Sequence, residues 1–168
     1  MAENVDTDIR IERAGPRDFL AVAALDRVAW RRNRHAEFIP DGEHAWRVWC
    51  EHALTFVARR GDTVVGAIMA FPCVDGRWFV HKVMVDQSQR GRGIGSKLFE
   101  ALLAEIDRRG GEASLTVDPA NDSALKLYAK WGFTQRQFVE GFYRDHEDRY
   151  VLTRPARGTG GPGADNAD

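Results

Sequence analysis

Val83-Met-Val-Asp-Gln-Ser-Gln-Arg90-Gly91-Arg92-Gly93-Ile94-Gly95-Ser96-Lys97 runs from an apolar, β-branched strand segment through three alternating glycines straight into a helix-forming stretch. Glycine admits backbone angles closed to other residues and lets a ligand approach the chain's N–H groups. A helix that begins at such a turn adds unpaired N–H donors and a partial positive charge, which together suit an anion such as a pyrophosphate. Arg90 and Arg92 would add charge-assisted contacts. A nucleotide-triphosphate loop requires Gly-x4-Gly-Lys-Ser/Thr, which is absent. A dinucleotide fingerprint requires a third glycine where Ser96 stands and an acidic residue ending the next strand, a part Asp118 fills late. Such a fold also carries its fingerprint on the first strand, whereas three strand segments precede this turn.

Those segments are Thr55-Phe-Val-Ala-Arg, Thr63-Val-Val-Gly-Ala-Ile-Met-Ala-Phe and Trp78-Phe-Val-His-Lys-Val-Met-Val. Arg60-Gly61-Asp62 supplies a short hairpin turn between the first two, and the three read as an antiparallel meander. Upstream, Ile9 to Ala14 alternates as a half-buried strand. Pro16 then opens a helix striped with Phe19, Leu20, Val22, Ala23 and Leu25. Arg31-Arg-Asn-Arg-His predicts a solvated basic turn, with a phosphate contact as the alternative. Asp41 is expected to cap a second helix whose apolar side carries Ala45, Trp46, Trp49 and Leu54. After Gly95, Leu98, Phe99, Leu102, Leu103 and Ile106 recur at helical spacing up to Gly110-Gly111. A strand at 113–118, a short helix at 121–130 closed by Gly132, and strands near 135–139 and 149–153 complete the order β-α-α-β-β-β-α-β-α-β-β. This is an α/β (α+β) fold with a mixed, mainly antiparallel sheet of six to seven strands flanked by four helices.

The chain has 168 residues, 43% hydrophobic and 29% charged, the balance of a globular chain with a sizeable core. A single domain is expected over residues 1–154, followed by a disordered Gly/Pro/Ala-rich tail at 155–168. The formal net charge of −1 offers no basic field for nucleic acid. The polar start, Met1-Ala-Glu-Asn-Val-Asp, and the lack of an 18-residue apolar run predict neither a signal segment nor a membrane helix. A cytoplasmic protein is expected, with Cys50 and Cys73 reduced. His44, His52 and His146 share no ligand spacing with a carboxylate, so no metal is expected.

Arg90-Gly91-Arg92-Gly93-Ile94-Gly95 resembles the Gln/Arg-x-x-Gly-x-Gly/Ala turn of the GNAT superfamily of N-acetyltransferases. Downstream, Asn121-Asp-Ser-Ala-Leu-Lys-Leu-Tyr-Ala-Lys-Trp-Gly-Phe resembles that family's Asn-x-x-Ala-x-x-Leu-Tyr-x-Lys-x-Gly-Phe helix. Order and separation match too, and the resemblance covers Ile9 to about Arg154. It implies an acetyl-CoA-dependent N-acetyltransferase. The pyrophosphate would lie on backbone amides from Arg90 to Ser96, and the pantetheine arm and acetyl carbonyl along Val83, Met84 and Val85. Asn121 would contact the cofactor arm as well as cap its helix. By resemblance, Tyr128 protonates the departing thiolate.

Removal of a proton from the acceptor ammonium calls for a base. Phe79, His81, Val83 and Val85 share one face of their strand, and some small-amine acetyltransferases of the superfamily place Glu or His where His81 falls. His81 is the candidate base, with a water chain as the alternative. The acceptor is a small-molecule amine, a peptide or protein N-terminus, or a lysine. Glu140-Gly-Phe-Tyr-Arg-Asp-His-Glu-Asp resembles the aromatic loop of ribosomal-protein alanine acetyltransferases, with Tyr143 matching one peptide-holding residue. Those enzymes, however, carry Glu where this chain has Thr116. Asp41, Glu43, Glu140, Asp145, Glu147 and Asp148 either attract a cationic acceptor or are ordinary surface charge. Trp46 and Trp49 are expected in the core, with an acceptor cleft or a homodimer contact left open. A non-catalytic acyl-CoA-binding sensor module is the competing reading.

Overall fold

The computed structural model describes residues 9–32 and 39–158. The N-terminal acidic stretch, Asn33, Arg34 and His35 of the basic cluster, and residues 159–168 of the tail lie outside them. Pro155 to Gly158 follow the last strand without regular structure. Among the described residues seven strands and four α-helices run in chain order as β1 (Ile9–Arg13), α1 (Phe19–Arg32), α2 (Glu43–His52), β2 (Leu54–Arg60), β3 (Thr63–Pro72), β4 (Trp78–Val85), α3 (Ile94–Arg108), β5 (Ala113–Val117), α4 (Asp122–Lys130), β6 (Gln135–Val139) and β7 (Arg149–Arg154). The strands form one sheet in the order β1-β2-β3-β4-β5-β7-β6. β4 and β5 are parallel, and the pairs β1–β2, β2–β3, β5–β7 and β6–β7 are antiparallel. The element order is the one expected.

The chain groups into two compact units. The first comprises residues 1–72 and 80–103, and the second 73–79 and 104–168. In the first unit β2 and β3 turn through Gly61, whose φ of 57° is the left-handed conformation glycine takes without strain. The core packs Val22 and Ala23 of α1, Trp46 and Cys50 of α2, Val57, Ala67, Met69 and Met84, all at least nine-tenths buried. Gly66 is a glycine of space rather than of angle. A Cβ there would come within 3.1 Å of the Met84 carbonyl oxygen and 3.2–3.3 Å of Leu98 and Ile94. That close approach seats the first turn of α3 on β3. Burial of Ile94, Leu98 and Leu102 fixes the helix, each side chain contributing about 1.5–3 kcal/mol.

In the second unit, β5 is buried through Ala113, Leu115 and Val117, and β7 through Leu152, Thr153 and Arg154. Ser114 and Thr153 hydroxyls lie 3.1 Å apart across that ladder. Arg154, 3% exposed, spends its guanidinium on Asp107 (2.6 and 2.8 Å) and on the Trp131 carbonyl (2.9 Å).

Several local expectations are corrected. Pro16 lies in the turn before α1 rather than in its first helical turn, and Leu20 is 52% exposed. Arg31 and Arg32 end α1 as helix instead of opening a turn. Leu54 belongs to β2. Gly42, not Asp41, stands at the N-cap of α2, with no side-chain capping bond. Asp41 forgoes the cap because two cationic or N–H donors claim its carboxylate. The third helix starts at Ile94, so Gly95 lies inside its first turn.

Candidate active site

β4 delivers the chain to the glycine turn. The Asp86 amide bonds the Val65 carbonyl at 2.8 Å, tying the turn to β3. Its carboxylate accepts from the Ser88 N–H and hydroxyl, which holds it below the usual carboxylate range and closes a single 3₁₀ turn over Gln87–Gln89. Gly91 and Gly93 follow at φ 76° and 73°. A Cβ at either would meet no atom within 4 Å, so these glycines supply conformation, and any other residue would be strained by roughly 1–2 kcal/mol. The Gly93 carbonyl accepts the Lys97 N–H at 3.0 Å, so the amides of Ile94, Gly95 and Ser96 form the helix's unpaired first turn. Arg90 and Arg92 are exposed, the Arg90 Nε 3.4 Å from the Val85 carbonyl. Ile94 and Met84 bury their side chains, leaving only backbone for a ligand, while Val83 is exposed. The register of β4 with β5 covers Trp78 and Phe79, and Val83, Met84 and Val85 lie beyond it.

Two residues before Val83, the His81 imidazole stands between aromatic rings. Trp49 is 5.4 Å away at 64° and Phe71 6.1 Å away at 50°. Its Nε2 lies 3.1 Å from Asp41 Oδ2. The Lys82 ammonium reaches the same oxygen at 2.6 Å and both oxygens of Asp26 at 2.8 and 2.9 Å. Asp26, 2% exposed, also accepts from the Trp46 indole N–H (3.1 Å) and the Asp41 backbone N–H (2.8 Å). Burial alone would raise the Asp41 pKa. The hydrogen bonds from His81 and Lys82, with the Lys82 charge, outweigh it and hold that pKa at about 2.

The second unit holds the other matched residues. Asn121 caps α4, its Oδ1 accepting the Ala124 N–H at 3.1 Å. Tyr128 is half-buried among rings, 5.9 Å from Phe133 and 6.4 Å from Trp131, and burial pushes its phenol above the ordinary value. The Tyr143 hydroxyl lies 2.9 Å from the Thr116 hydroxyl, with the Arg149 guanidinium 5.2 Å from its ring. Asp118 accepts the Ala120 N–H in the turn before α4.

The sequence matches the Acetyltransferase (GNAT) family over residues 20–133. The chain belongs to the GNAT family. Its class is that of an N-acetyltransferase. An N-alpha-acetyltransferase of Saccharolobus solfataricus is 31% identical over 113 residues, spanning 60% of this chain and 68% of that one. The ribosomal-protein-S18-alanine N-acetyltransferase of Escherichia coli superposes with a TM-score of 0.73 at 20% identity, over 90% of this chain and 96% of the other. The diaminobutyrate acetyltransferase of Paenibacillus lautus, solved with L-2,4-diaminobutyric acid and coenzyme A, superposes at 0.72 and 19% identity over 92% and 99%.

In this GNAT chain Val83, Met84, Val85, Arg90 to Ser96 and His81 fall in the first unit, and Asn121 and Tyr128 in the second. Trp46 is fully buried in the first unit's core, and Trp49 turns its ring on His81. Sequence reasoning missed Asp26 and Lys82 and gave Asp41 a different task. The available signals were an aspartate inside the apolar stripe of α1 and a lysine beside His81. Among the described residues no three His, Cys, Asp or Glu side chains converge as metal ligands.

Proposed function

We propose that the protein is a cytoplasmic enzyme that moves an acetyl group from acetyl-CoA to a primary amine by direct attack on the thioester. The observation that carries this reading is a half-exposed imidazole, His81, on the strand that leads into the glycine turn. The turn and the first amides of α3 would hold the pyrophosphate, and the backbone of Val83, Met84 and Val85 the pantetheine arm. His81 takes the acceptor's ammonium proton, and the N–C bond forms as the C–S bond breaks. The thiolate takes the Tyr128 hydroxyl proton, and the phenolate recovers the proton shed by the nitrogen. One proton leaves to water through His81. Tyr128, raised by burial, is protonated at neutral pH, as a donor must be.

Direct attack is favoured over an acyl-cysteine route. Burial, and then the nearby Asp18 charge, pushes the buried Cys50 thiol up to about 11, so it supplies almost no thiolate. Two observations favour different acceptors. The bond from Tyr143 to Thr116, where a peptide acetyltransferase carries Glu, supports a small amine. The identity with the archaeal N-alpha-acetyltransferase supports a peptide N-terminus.

Acetyl-CoA at about 100 times its Kd should stabilise the chain by roughly 2.7 kcal/mol, with NAD and ATP giving no shift. Thiol release is then read with L-2,4-diaminobutyrate, an alanine-initiated peptide and free lysine. Release with one of them identifies the acceptor class. A shift in melting temperature with no release on any amine would favour the acyl-CoA sensor module instead. Tyr128→Phe should lower kcat with little change in acetyl-CoA affinity; equal loss of both would remove its role as acid.

A further inference from the structure

The base assigned to His81 does not stand alone. We infer that Asp41 is a positioning residue for it: the Asp41 carboxylate accepts the Nε2 proton of His81, fixes the imidazole as the Nε2–H tautomer, and leaves the Nδ1 lone pair for the acceptor ammonium. This rests on the acetyl-transfer reading above and deepens it.

The geometry has three parts. First, Asp41 Oδ2 is 3.1 Å from His81 Nε2, and a carboxylate can only accept, so the ring must donate through that nitrogen. Nδ1 has no hydrogen-bond partner among the described residues. Second, Asp41 is itself held. Its backbone N–H bonds buried Asp26, and its Oδ2 takes the Lys82 ammonium at 2.6 Å. The chain ahead of α2 is thereby pinned to α1 and β4, which explains why Asp41 abandons the α2 cap. Third, the rings of Trp49 from α2 and Phe71 from β3 flank the imidazole and limit its rotation.

Among the described residues, the charged groups around the imidazole are Asp41 from the segment before α2, Lys82 from β4 itself and Asp26 from α1 behind Lys82. The cluster thus joins two carboxylates and one ammonium to the imidazole. The depressed pKa of Asp41 keeps its carboxylate ionised throughout the neutral range.

The test is a double-mutant cycle on the full chain, using acetyl-CoA and whichever of the diaminobutyrate, alanine-peptide or lysine probes is turned over. Asp41→Asn should lower kcat by about 10- to 100-fold, with acetyl-CoA affinity held within twofold. In a His81→Gln background the same substitution should change kcat by less than about twofold, because it acts through the imidazole. Imidazole ¹⁵N shifts supply a readout independent of turnover. The wild type should show a protonated Nε2, and Asp41→Asn should lose that preference. Losses that multiply in the double variant, or a wild-type Nδ1–H tautomer, would overturn the positioning role even with the enzyme active. A wild type that binds acetyl-CoA and acetylates none of the three amines would instead overturn the acetyl-transfer reading, and the base role with it.

Discussion

Two networks of carboxylates and cations, one in each unit, use the same chemistry to different ends. In the second unit, Arg154 spends its guanidinium on Asp107 and on the Trp131 carbonyl, and its side chain is 3% exposed. In the first, Lys82 is divided between Asp26 and Asp41, and Asp41 also accepts a hydrogen bond from an imidazole whose side chain is 30% exposed. The closed network ties α3 to β7 and ends there. The open one is anchored too, but it ends on an imidazole whose Nδ1 has no hydrogen-bond partner among the described residues. An anchored network that leaves one titratable atom facing outward is the kind of place where chemistry can be done; a network with every donor spent is a fastening.

The sharpest way to break this contrast is to open the closed network. Asp107→Ala leaves the buried Arg154 guanidinium without its carboxylate, which should cost about 3–4 kcal/mol and lower the melting temperature by about 6–16 °C. Turnover per folded molecule at low temperature should not change. A substantial loss of kcat in the folded variant would mean that the second network is more than a fastening. The opposite substitution, His81→Gln, should lower kcat/KM by about a hundredfold. Its melting temperature should fall by no more than about 4 °C, the worth of one hydrogen bond.

Acid titration separates the networks by a smaller amount. Asp41 has an ordinary pKa of 3.8 and is held at about 2 in the folded chain, so its contribution to stability is full above about pH 4. That contribution is lost as the pH falls toward 2, because the folded state must then give up the His81 and Lys82 contacts. Discounted for the quarter of the side chain that is exposed, it is on the order of 1–2 kcal/mol. Asp41→Asn should therefore be less stable than wild type at pH 6, and the gap should close toward pH 2. A gap constant with pH would show that the carboxylate charge contributes nothing.

How far the sequence could be read follows the range of the forces involved. Strand alternation and the Leu98–Ile106 helical spacing are local, so element types and order were legible, as was the capping role of Asn121. The left-handed angles of Gly91 and Gly93 were legible as a turn, because glycine at alternating positions has few other uses. The His81 cluster was legible only in part. The imidazole's face follows from strand parity, but Asp41 is joined to Asp26 across 15 residues of chain, His81 to Asp41 across 40 and Lys82 to Asp26 across 56. No periodicity encodes those meetings, and an aspartate just before a helix reads as a cap until the cations that claim it are known. Leu20, read as core, is half exposed for a related reason: the stripe of α1 is narrower than its apolar letters, and buried Asp26 takes part of it.

Asn121 lies between the two networks in kind, and the smallest expected effect tests where it belongs. Its Oδ1 is spent on the Ala124 N–H, while its Nδ2 donates to nothing among the described residues and is exposed. Asn121→Ala removes both halves of the side chain and should cost about 1 kcal/mol of stability through the lost cap. Asn121→Asp keeps the acceptor and places a negative charge at a helix N-terminus, where it is favourable, so stability should be retained. If Asn121 is only a fastening, the aspartate variant should bind acetyl-CoA as wild type does. If its amide is an open end that donates to the cofactor arm, that variant should bind several-fold more weakly while melting at the wild-type temperature. Calorimetric Kd values beside a melting curve for the two variants read these outcomes apart, since only loss of a donor separates affinity from stability.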